Sequence, residues 1–130
     1  MKFVFLTLII FLIILKMFEG TASALEIPEI TPEEAWNYLG KEGYVFLDVR
    51  EPHEYNEERI KGAINLPKGM VGSKIGELFP KKEAQVFIVY CRSGRRSLDA
   101  TKTLIEMGYK AFNMKGGILA WKKANLPTEK

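Results

Sequence analysis

A single cysteine, Cys91, opens the segment with the clearest chemical character in this chain of 130 residues. It follows an apolar run and precedes arginine, serine and glycine residues at positions 92–97. One thiol cannot form a disulfide within its own chain, and cationic neighbours stabilise the thiolate, which is the nucleophilic form. A buried, inert cysteine is expected among apolar neighbours instead. The segment therefore predicts a thiolate that attacks an anionic substrate or carries a sulfur-bound anion.

The residue types after Cys91 fit an anion-binding loop between a strand and a helix. In such a loop the first amides of the helix point inward, and the helix dipole adds partial positive charge. We expect Gly94 to allow the sharp turn and to leave space above the sulfur. The remaining side chains are candidates for binding the substrate through charge or hydrogen bonds: Arg92, Ser93, Arg95, Arg96 and Ser97. Arg92 is the best placed of these, since it adjoins the thiol.

Two less specific interpretations stay open for this segment. Cys91 could be a buried cysteine in an ordinary strand-to-helix turn, although three arginines in the next five positions disfavour this. The arginines could be solvated side chains, but the helix dipole disfavours cations on a first helical turn. A bound anion would compensate for that placement.

Hydrophobic patterning predicts strands that alternate with helices. Apolar runs, typical of strands buried on both faces, lie at 45–49, where Asp48 is an acid near the end, and at 86–90. Trp36 and Leu98 are expected on the inward faces of their helices. The pattern predicts an α/β fold, with a mostly parallel central sheet of about five strands and helices on both faces. Ligands of such sheets bind beyond the carboxyl ends of the strands, where Cys91 is expected. Shorter strands are predicted at 63–66 and 111–114, and helices at 31–39, within 52–60, and at 70–79, 96–107 and 118–124.

Residues 1–24 are expected to be a cleaved secretory signal peptide. A positive start precedes an apolar run at 3–15, and Ala22-Ser23-Ala24 matches a signal-peptidase site. The run is shorter than the about 20 residues of a membrane span, although an uncleaved N-terminal anchor is the alternative. Residues 25–130 then form one domain with no stable membrane span, and the protein is expected in the periplasm or secreted. A net charge of +3 argues against a nucleic-acid partner.

Four motifs stand in order along residues 25–130 and cover nearly all of that stretch. Together they resemble the rhodanese, or thiosulfate sulfurtransferase-like, family in its single-domain form. One departure precedes the second motif, where the family often has Gly-His-Ile and this chain has Glu58-Arg59-Ile60. This departure leaves the cysteine loop intact, but it affects the turn at 58–60 and the rim of the expected substrate pocket. The motifs are Asp48-Val49-Arg50-Glu51, Gly62-Ala63-Ile64-Asn65-Leu66-Pro67, Cys91-Arg92-Ser93-Gly94-Arg95-Arg96-Ser97, and Gly116-Gly117 with Trp121 and Leu126-Pro127.

This resemblance implies a rhodanese-like fold and a sulfur-transfer cycle through a persulfide on Cys91. The thiolate attacks the outer sulfur of a small anionic donor such as thiosulfate, and sulfite leaves. The persulfide, held by the N–H groups of the loop, then passes its sulfur to cyanide, a thiol or a protein acceptor. Covalent catalysis in two displacements predicts ping-pong kinetics. The cycle needs no metal and no organic cofactor, and His53 is the sole histidine.

Two other functions stay open. A persulfide carrier or sulfur-binding module would load sulfur but turn over poorly without a partner. The related dual-specificity phosphatases and arsenate reductases have arginine six positions after the cysteine, where this chain has Ser97, and Arg96 is one position short. The shorter loop favours one sulfur atom over a tetrahedral phosphoryl group, so a cysteine phosphatase or arsenate reductase is less favoured.

Arg50 ends a predicted central strand, two residues after Asp48. It is a candidate for holding the donor anion or the cysteine loop. The alternative is a structural ion pair with Asp48 that fixes the strand end, and this alternative is preferred.

Overall fold

A parallel five-stranded sheet forms the centre of the computed structural model, which describes residues 26–130. The strands lie in the spatial order β1-β5-β4-β2-β3, so β4 is central, with β5 and β2 as neighbours. Because all the strand pairs are parallel, the carboxyl ends of the strands meet at one edge of the sheet. The strands are β1 (Glu29–Ile30), β2 (Tyr44–Asp48), β3 (Ile64–Asn65), β4 (Val86–Tyr90) and β5 (Lys110–Met114).

Helices connect the strands and cover both faces of the sheet, which confirms the predicted α/β class. The first of them begins with a capping box. In it the Thr31 hydroxyl accepts from the Glu34 amide, and the Glu34 carboxylate accepts from the Thr31 amide. Within residues 26–130 the helices are α1 (Pro32–Trp36), α2 (Pro52–Glu57), α3 (Lys68–Leu78), α4 (Arg95–Glu106) and α5 (Gly117–Lys123).

Two apolar clusters form the core, one on each face of the sheet. Side chains alternate along β4, so Phe87 and Val89 pack toward α3 and α4, whereas Ile88 and Tyr90 pack toward α1 and α5. Cys91 continues this alternation and joins the cluster of Phe87 and Val89. The central strand therefore directs the cysteine toward α4, the helix that follows it.

Two side chains that the sequence predicted to face inward are exposed, so these two predictions were wrong. Trp36 is 43% exposed, because α1 ends there and Ala35 takes the buried position; its ring meets Trp121 edge-on at 5.9 Å. Leu98 is 38% exposed, since α4 turns Ser97 toward the core. The buried face of α4 consists of residues at helical spacing from that position, namely Ser97, Ala100, Thr101 and Leu104.

The expected signal peptide at 1–24 lies outside the described residues. Among residues 26–130, no helix combines the length and apolar character needed to cross a membrane.

Candidate active site

The sulfur of Cys91 lies beyond the end of β4, inside the loop that leads into α4. The amide of Gly94 donates to Sγ at 3.1 Å, and the hydroxyl of Ser97 donates to it at 3.3 Å. Cys91 is 1% exposed, and Ser97 is buried beside it. The thiol therefore has apolar neighbours from the core on one side and hydrogen-bond donors from its own loop on the other.

Burial and hydrogen bonding act in opposite directions on the pKa of the Cys91 thiol. Burial raises the pKa, because a charged sulfur is poorly solvated there. The Ser97 hydroxyl and the amides of Ser97, Gly94 and Ser93 lower it, and the resulting pKa lies below the ordinary value of a cysteine. The loop thus favours the nucleophilic thiolate despite the burial of the sulfur.

Gly94 forms the sharp turn of the loop. Its φ of 99° lies in the left-handed region that favours glycine. A Cβ at this position would also lie 3.1 Å from the amide nitrogen of Gly116, in the turn before α5. A side chain here would therefore strain the backbone and push the loop away from α5.

The N-terminus of α5 fixes the orientation of the first two loop peptides. The amide of Ile118 donates to the carbonyl of Cys91 at 2.8 Å, and the amide of Leu119 donates to the carbonyl of Arg92 at 3.2 Å. Gly117 permits this approach, because a Cβ there would come within 3.0 Å of the backbone of Cys91 and Arg92. These carbonyls point toward α5, and the amide of Ser93, which follows the second of them, faces the sulfur. The sequence identified Gly117 as part of a motif but not as a support for the loop.

Asn113 is a further support that the sequence did not identify. It is buried at the end of β5, and its Nδ2 donates to the Gly94 carbonyl at 3.3 Å and to the Glu29 carboxylate at 3.0 Å. Asn113 therefore ties the turn of the loop to the edge of the sheet. A polar residue within the predicted strand 111–114 was the signal that could have pointed to it.

Arg96 is bound by a carboxylate from α2. Its two terminal nitrogens donate to the two oxygens of Glu54 at 2.7 and 3.0 Å. The hydrogen bonds from Arg96 lower the pKa of Glu54 to about 2, and the same contact raises the pKa of Arg96. This ion pair therefore occupies both terminal nitrogens of Arg96 and ties α2 to the first turn of α4. The role of Arg96 in binding substrate stays a prediction.

Arg50 forms the structural ion pair that the sequence favoured. Its guanidinium contacts the Asp48 carboxylate at 2.6 to 3.1 Å and the Glu58 carbonyl at 2.7 Å. Both charged side chains are almost fully buried. Burial lowers the pKa of Arg50, but the hydrogen bonds and charge of Asp48 outweigh it and raise the pKa above its ordinary value. A direct contact of Arg50 with a donor stays a prediction.

The other polar side chains of the loop lie at the surface. Arg92, Ser93 and Arg95 are exposed, and neither of these arginines forms an ion pair with a carboxylate of residues 26–130. The loop that begins at the buried thiol therefore carries two exposed cations without an ion-pair partner among residues 26–130. Their predicted contact with the substrate is untested.

The departure from the family motif at Glu58 and Arg59 anchors the C-terminal segment. Arg59 and Glu129 exchange two backbone hydrogen bonds of 2.9 and 2.8 Å, and their side chains form an ion pair at 3.2 Å. The Glu58 carboxylate accepts from Lys122 at 2.7 Å and from the Thr128 hydroxyl at 2.5 Å. The local turn is therefore closed by contacts with residues 122–129.

The described part of the chain contains no group of three or more histidine, cysteine, aspartate or glutamate side chains arranged to hold a metal ion. His53 is exposed on α2.

Known proteins share both the sequence pattern and the fold. A family model described as the rhodanese-like domain matches residues 31–124. Thiosulfate sulfurtransferase PspE of Escherichia coli K12 is 41% identical over 73 residues, which are 56% of this chain and 69% of PspE. An uncharacterized Synechocystis protein, slr1261, is 33% identical over 102 residues, or 78% of this chain, and the chain spans 55% of its length.

A solved structure agrees with these sequence matches. The crystal structure of a rhodanese-related protein from Thermoplasma volcanium aligns with a TM-score of 0.71 at 27% identity, covering 78% of this chain and 97% of the other. The family model covers most of the chain and includes the cysteine loop with the elements that support it. The resemblance drawn from the four motifs is thereby confirmed, and this chain belongs to the rhodanese-like domain family.

Proposed function

We propose that this chain is a sulfurtransferase that carries sulfane sulfur as a persulfide on Cys91, from a donor such as thiosulfate to a thiophilic acceptor. One observation carries the proposal: the sulfur of Cys91 accepts hydrogen bonds from the Gly94 amide and the Ser97 hydroxyl. These donors lower the pKa of the thiol, as a nucleophilic cysteine requires. The name of PspE, a thiosulfate sulfurtransferase, supports the same chemistry.

In the first step, the Cys91 thiolate attacks the outer sulfur of thiosulfate. A new S–S bond forms on Cys91, the bond between the two sulfurs of thiosulfate breaks, and sulfite leaves with its electron pair. The total charge is conserved, since the thiolate becomes a persulfide anion and the thiosulfate dianion becomes the sulfite dianion. The donors that stabilise the thiolate also stabilise the persulfide, because both carry negative charge on sulfur.

In the second step, the acceptor attacks the outer sulfur of the persulfide. With cyanide, a C–S bond forms, the S–S bond breaks, and thiocyanate leaves while Cys91 returns to the thiolate. With a thiolate acceptor, the product is the acceptor's persulfide. The two half-reactions share one site and one covalent intermediate, which gives ping-pong kinetics.

The charged side chains around the loop have two roles: some bind the donor, and others stabilise the site. Arg92 and Arg95 are exposed cations beside the loop, and they supply the positive field that attracts a small dianion. Arg96 and Arg50 are held by Glu54 and Asp48, so they shape the site. The donor approaches from the exposed side of the loop, because the other side of Cys91 packs into the core.

The proposed site of action is outside the cytoplasm. The apolar run at 3–15 and the Ala22-Ser23-Ala24 sequence fit a signal peptide that ends at residue 24. The protein would then act in the periplasm or be secreted, and an N-terminal anchor is the alternative. Amino-terminal sequencing of the protein exported by a bacterial host distinguishes a start at residue 25 from an intact N-terminus.

Thiocyanate formation tests the enzyme directly. Initial rates are measured over a grid of thiosulfate and cyanide concentrations, and parallel lines in double-reciprocal plots are expected. Cys91→Ser should abolish thiocyanate formation, whereas Ser73→Ala, an exposed position on α3, serves as the control and should leave it unchanged. Equal activity of Cys91→Ser and the unsubstituted protein would refute the proposal.

The burial of Cys91 favours a persulfide carrier as the second candidate. At 1% exposure, the sulfur is poorly accessible to free acceptors, so transfer could require a partner protein that opens the loop. A carrier would gain one sulfur atom from thiosulfate but form almost no thiocyanate with cyanide. Rapid thiocyanate formation by the isolated protein would exclude it.

A further inference from the structure

Asn113 is buried at the end of β5 with one half of its side-chain amide unpaired. The Nδ2 atom donates to the Glu29 carboxylate at 3.0 Å and to the Gly94 carbonyl at 3.3 Å. The Oδ1 atom has no hydrogen-bond partner among residues 26–130, although Asn113 is 1% exposed. A buried acceptor without a partner destabilises the folded state, whereas an apolar side chain of similar shape avoids this penalty. Packing alone therefore does not account for an asparagine at this position.

The two acceptors on the Nδ2 side fix the orientation of this amide. The Glu29 carboxylate and the Gly94 carbonyl accept hydrogen bonds and cannot donate, so the NH₂ end of Asn113 must face them. Rotation of the amide by half a turn would bring Oδ1 against both of these oxygens. Hydrogen bonds to charged acceptors are roughly twice as strong as those between neutral groups, so Glu29 contributes most to this orientation.

The register of the sheet places Glu29 where this contact can form. Glu29 of β1 and Asn113 of β5 are cross-strand partners in the parallel pair. Backbone hydrogen bonds hold β1 on both sides of these partners. The Asn113 amide donates to the Pro28 carbonyl at 2.9 Å, and the Lys115 amide donates to the Ile30 carbonyl at 2.9 Å. The Glu29 side chain is exposed, but it therefore reaches Asn113 from a fixed backbone position.

Gly94 is the part of the loop that most needs such a support. Its φ of 99° favours glycine, and glycine is also the residue with the greatest backbone freedom. The Gly94 carbonyl accepts from the Asn113 side chain and from the Leu98 amide, each at 3.3 Å. With a ψ of −3°, the carbonyl oxygen and the amide nitrogen of Gly94 lie on opposite sides of its Cα–C bond. A hold on the carbonyl therefore also orients the amide, which donates to the Cys91 sulfur at 3.1 Å.

We propose that Glu29 is a positioning residue for the Cys91 thiolate and that it acts through Asn113. The Glu29 carboxylate sets the orientation of the Asn113 amide, and the amide holds the Gly94 carbonyl. Gly94 thereby keeps its N–H directed at the sulfur. Glu29 and Asn113 both lie outside the four sequence motifs. This inference rests on the proposed function, since it assigns a residue of β1 to the stabilisation of the nucleophile.

The pH dependence of Cys91 alkylation by iodoacetamide measures the proposed effect, because only the thiolate reacts. Asn113→Leu removes the hold on Gly94 and should lower the rate well below the pKa about two- to tenfold, the range of one hydrogen bond. Glu29→Ala should lower this rate about two- to threefold, since water partly replaces an exposed carboxylate. Glu29→Gln keeps an oxygen that can accept from Nδ2, and it should retain more of the rate than Glu29→Ala.

The sign of the Glu29→Ala effect separates positioning from a direct action of charge. Removal of a negative charge would by itself lower the pKa of Cys91 and raise the alkylation rate, whereas loss of positioning lowers the rate. Arg96 interacts with the charge of Cys91, and its pair with Glu54 stays in place in every variant.

Two control measurements separate positioning from a general loss of structure and from net charge. Asn113→Leu also removes the unpaired oxygen, so its midpoint of urea denaturation should lie close to that of the unsubstituted protein. Glu83→Ala is the matched control for charge and should leave the alkylation profile unchanged. Glu83 is exposed in the turn before β4, and it forms no ion pair with the residues 26–130 that the structure describes.

A double-mutant cycle tests whether Glu29 acts through Asn113. In the Asn113→Leu background, Glu29→Ala should have no further effect on the alkylation rate. An effect of the same size in both backgrounds would overturn the proposal. An unchanged or increased rate for Glu29→Ala alone, an equal decrease for Glu83→Ala, or a rate for Glu29→Gln as low as that for Glu29→Ala would also overturn it.

The proposed function is tested by a separate measurement. Intact mass after exposure to thiosulfate shows whether the unsubstituted protein loads sulfur, and a protein that loads none refutes the sulfurtransferase. Alkylation reports the thiolate alone, so the effect of Glu29→Ala can be measured in either case. Unaltered alkylation of Glu29→Ala in a protein that loads sulfur would refute the positioning role and leave the proposed function standing.

Discussion

Replacement of Ser97 by alanine should raise the pKa of the Cys91 thiol and reduce the thiolate fraction below that pKa about tenfold. The Ser97 hydroxyl donates to the sulfur at 3.3 Å from a fully buried position, so bulk water cannot replace it. A hydrogen bond to a charged group contributes about 1.5–3 kcal/mol, and the length of this one places it at the lower end. Since about 1.4 kcal/mol corresponds to a factor of ten in an equilibrium constant, the loss of this donor reduces the thiolate fraction below the pKa about tenfold.

The pH dependence of alkylation by iodoacetamide measures this shift, because only the thiolate reacts. The pH profile of Ser97→Ala should move to higher pH, and its rate well below the pKa should fall about tenfold, because the thiolate fraction falls by that factor. Ser93→Ala is the matched control: its amide stays in place and its exposed hydroxyl makes no hydrogen bond within residues 26–130, so a much smaller shift is expected. An unchanged profile for a folded Ser97→Ala protein would refute the argument that this hydroxyl stabilises the thiolate.

Three substitutions test the supports of the site. The pKa of Glu54 is lowered from 4.5 to about 2 in the folded state, so its stabilisation is fully present above pH 4.5 and is lost as the pH falls toward 2. Glu54→Gln should therefore lower the free energy of unfolding by about 1 kcal/mol at pH 7 in urea denaturation, a value discounted for the partial exposure of Arg96. A loss that persists unchanged at pH 2 would contradict this. Gly117→Ala places a Cβ within 3.0 Å of the loop backbone at a φ of +61°. It should lower the free energy of unfolding by about 1–3 kcal/mol and slow persulfide formation. Unaltered sulfur loading would contradict the role of Gly117 in supporting the loop. Asp48→Asn leaves Arg50 as a buried unpaired charge, and it should lower the free energy of unfolding by about 3–5 kcal/mol in thermal denaturation. A loss below about 1 kcal/mol would contradict the structural role of this ion pair.

The sequence predicted those parts of the fold that depend on local patterns. The apolar runs at 45–49 and 86–90 predicted β2 and β4, because strands buried on both faces are largely apolar. Glycine and arginine after Cys91 located the loop, and the parallel arrangement placed it at the carboxyl edge of the sheet.

Contacts between distant residues could not be predicted. Arg96 meets Glu54 across 42 positions of the chain, and Asn113 reaches the Gly94 carbonyl across 19 positions. Neither contact produces a periodic pattern in the sequence, because only the assembled sheet brings these residues together. For the same reason, the sequence did not show that Arg96 is ion-paired with Glu54.

The error at Leu98 has a different origin. Apolar character alone favoured an inward Leu98, but the rotation of α4 is set by the requirement that Ser97 reach the sulfur. The chain places small side chains on that face, Ala100 among them, and leaves the larger Leu98 38% exposed. The demands of the site therefore take precedence over the hydrophobic pattern in this helix.

The intact mass of the protein after a single exposure to thiosulfate tests the persulfide on Cys91 most directly. The unsubstituted protein should gain the mass of one sulfur atom, lose it again on addition of cyanide, and yield a peptide containing Cys91 as the modified fragment. Cys91→Ser should gain nothing. A protein that stays unmodified with thiosulfate and with other sulfane donors, or a variant without the thiol that gains sulfur equally, would contradict the account.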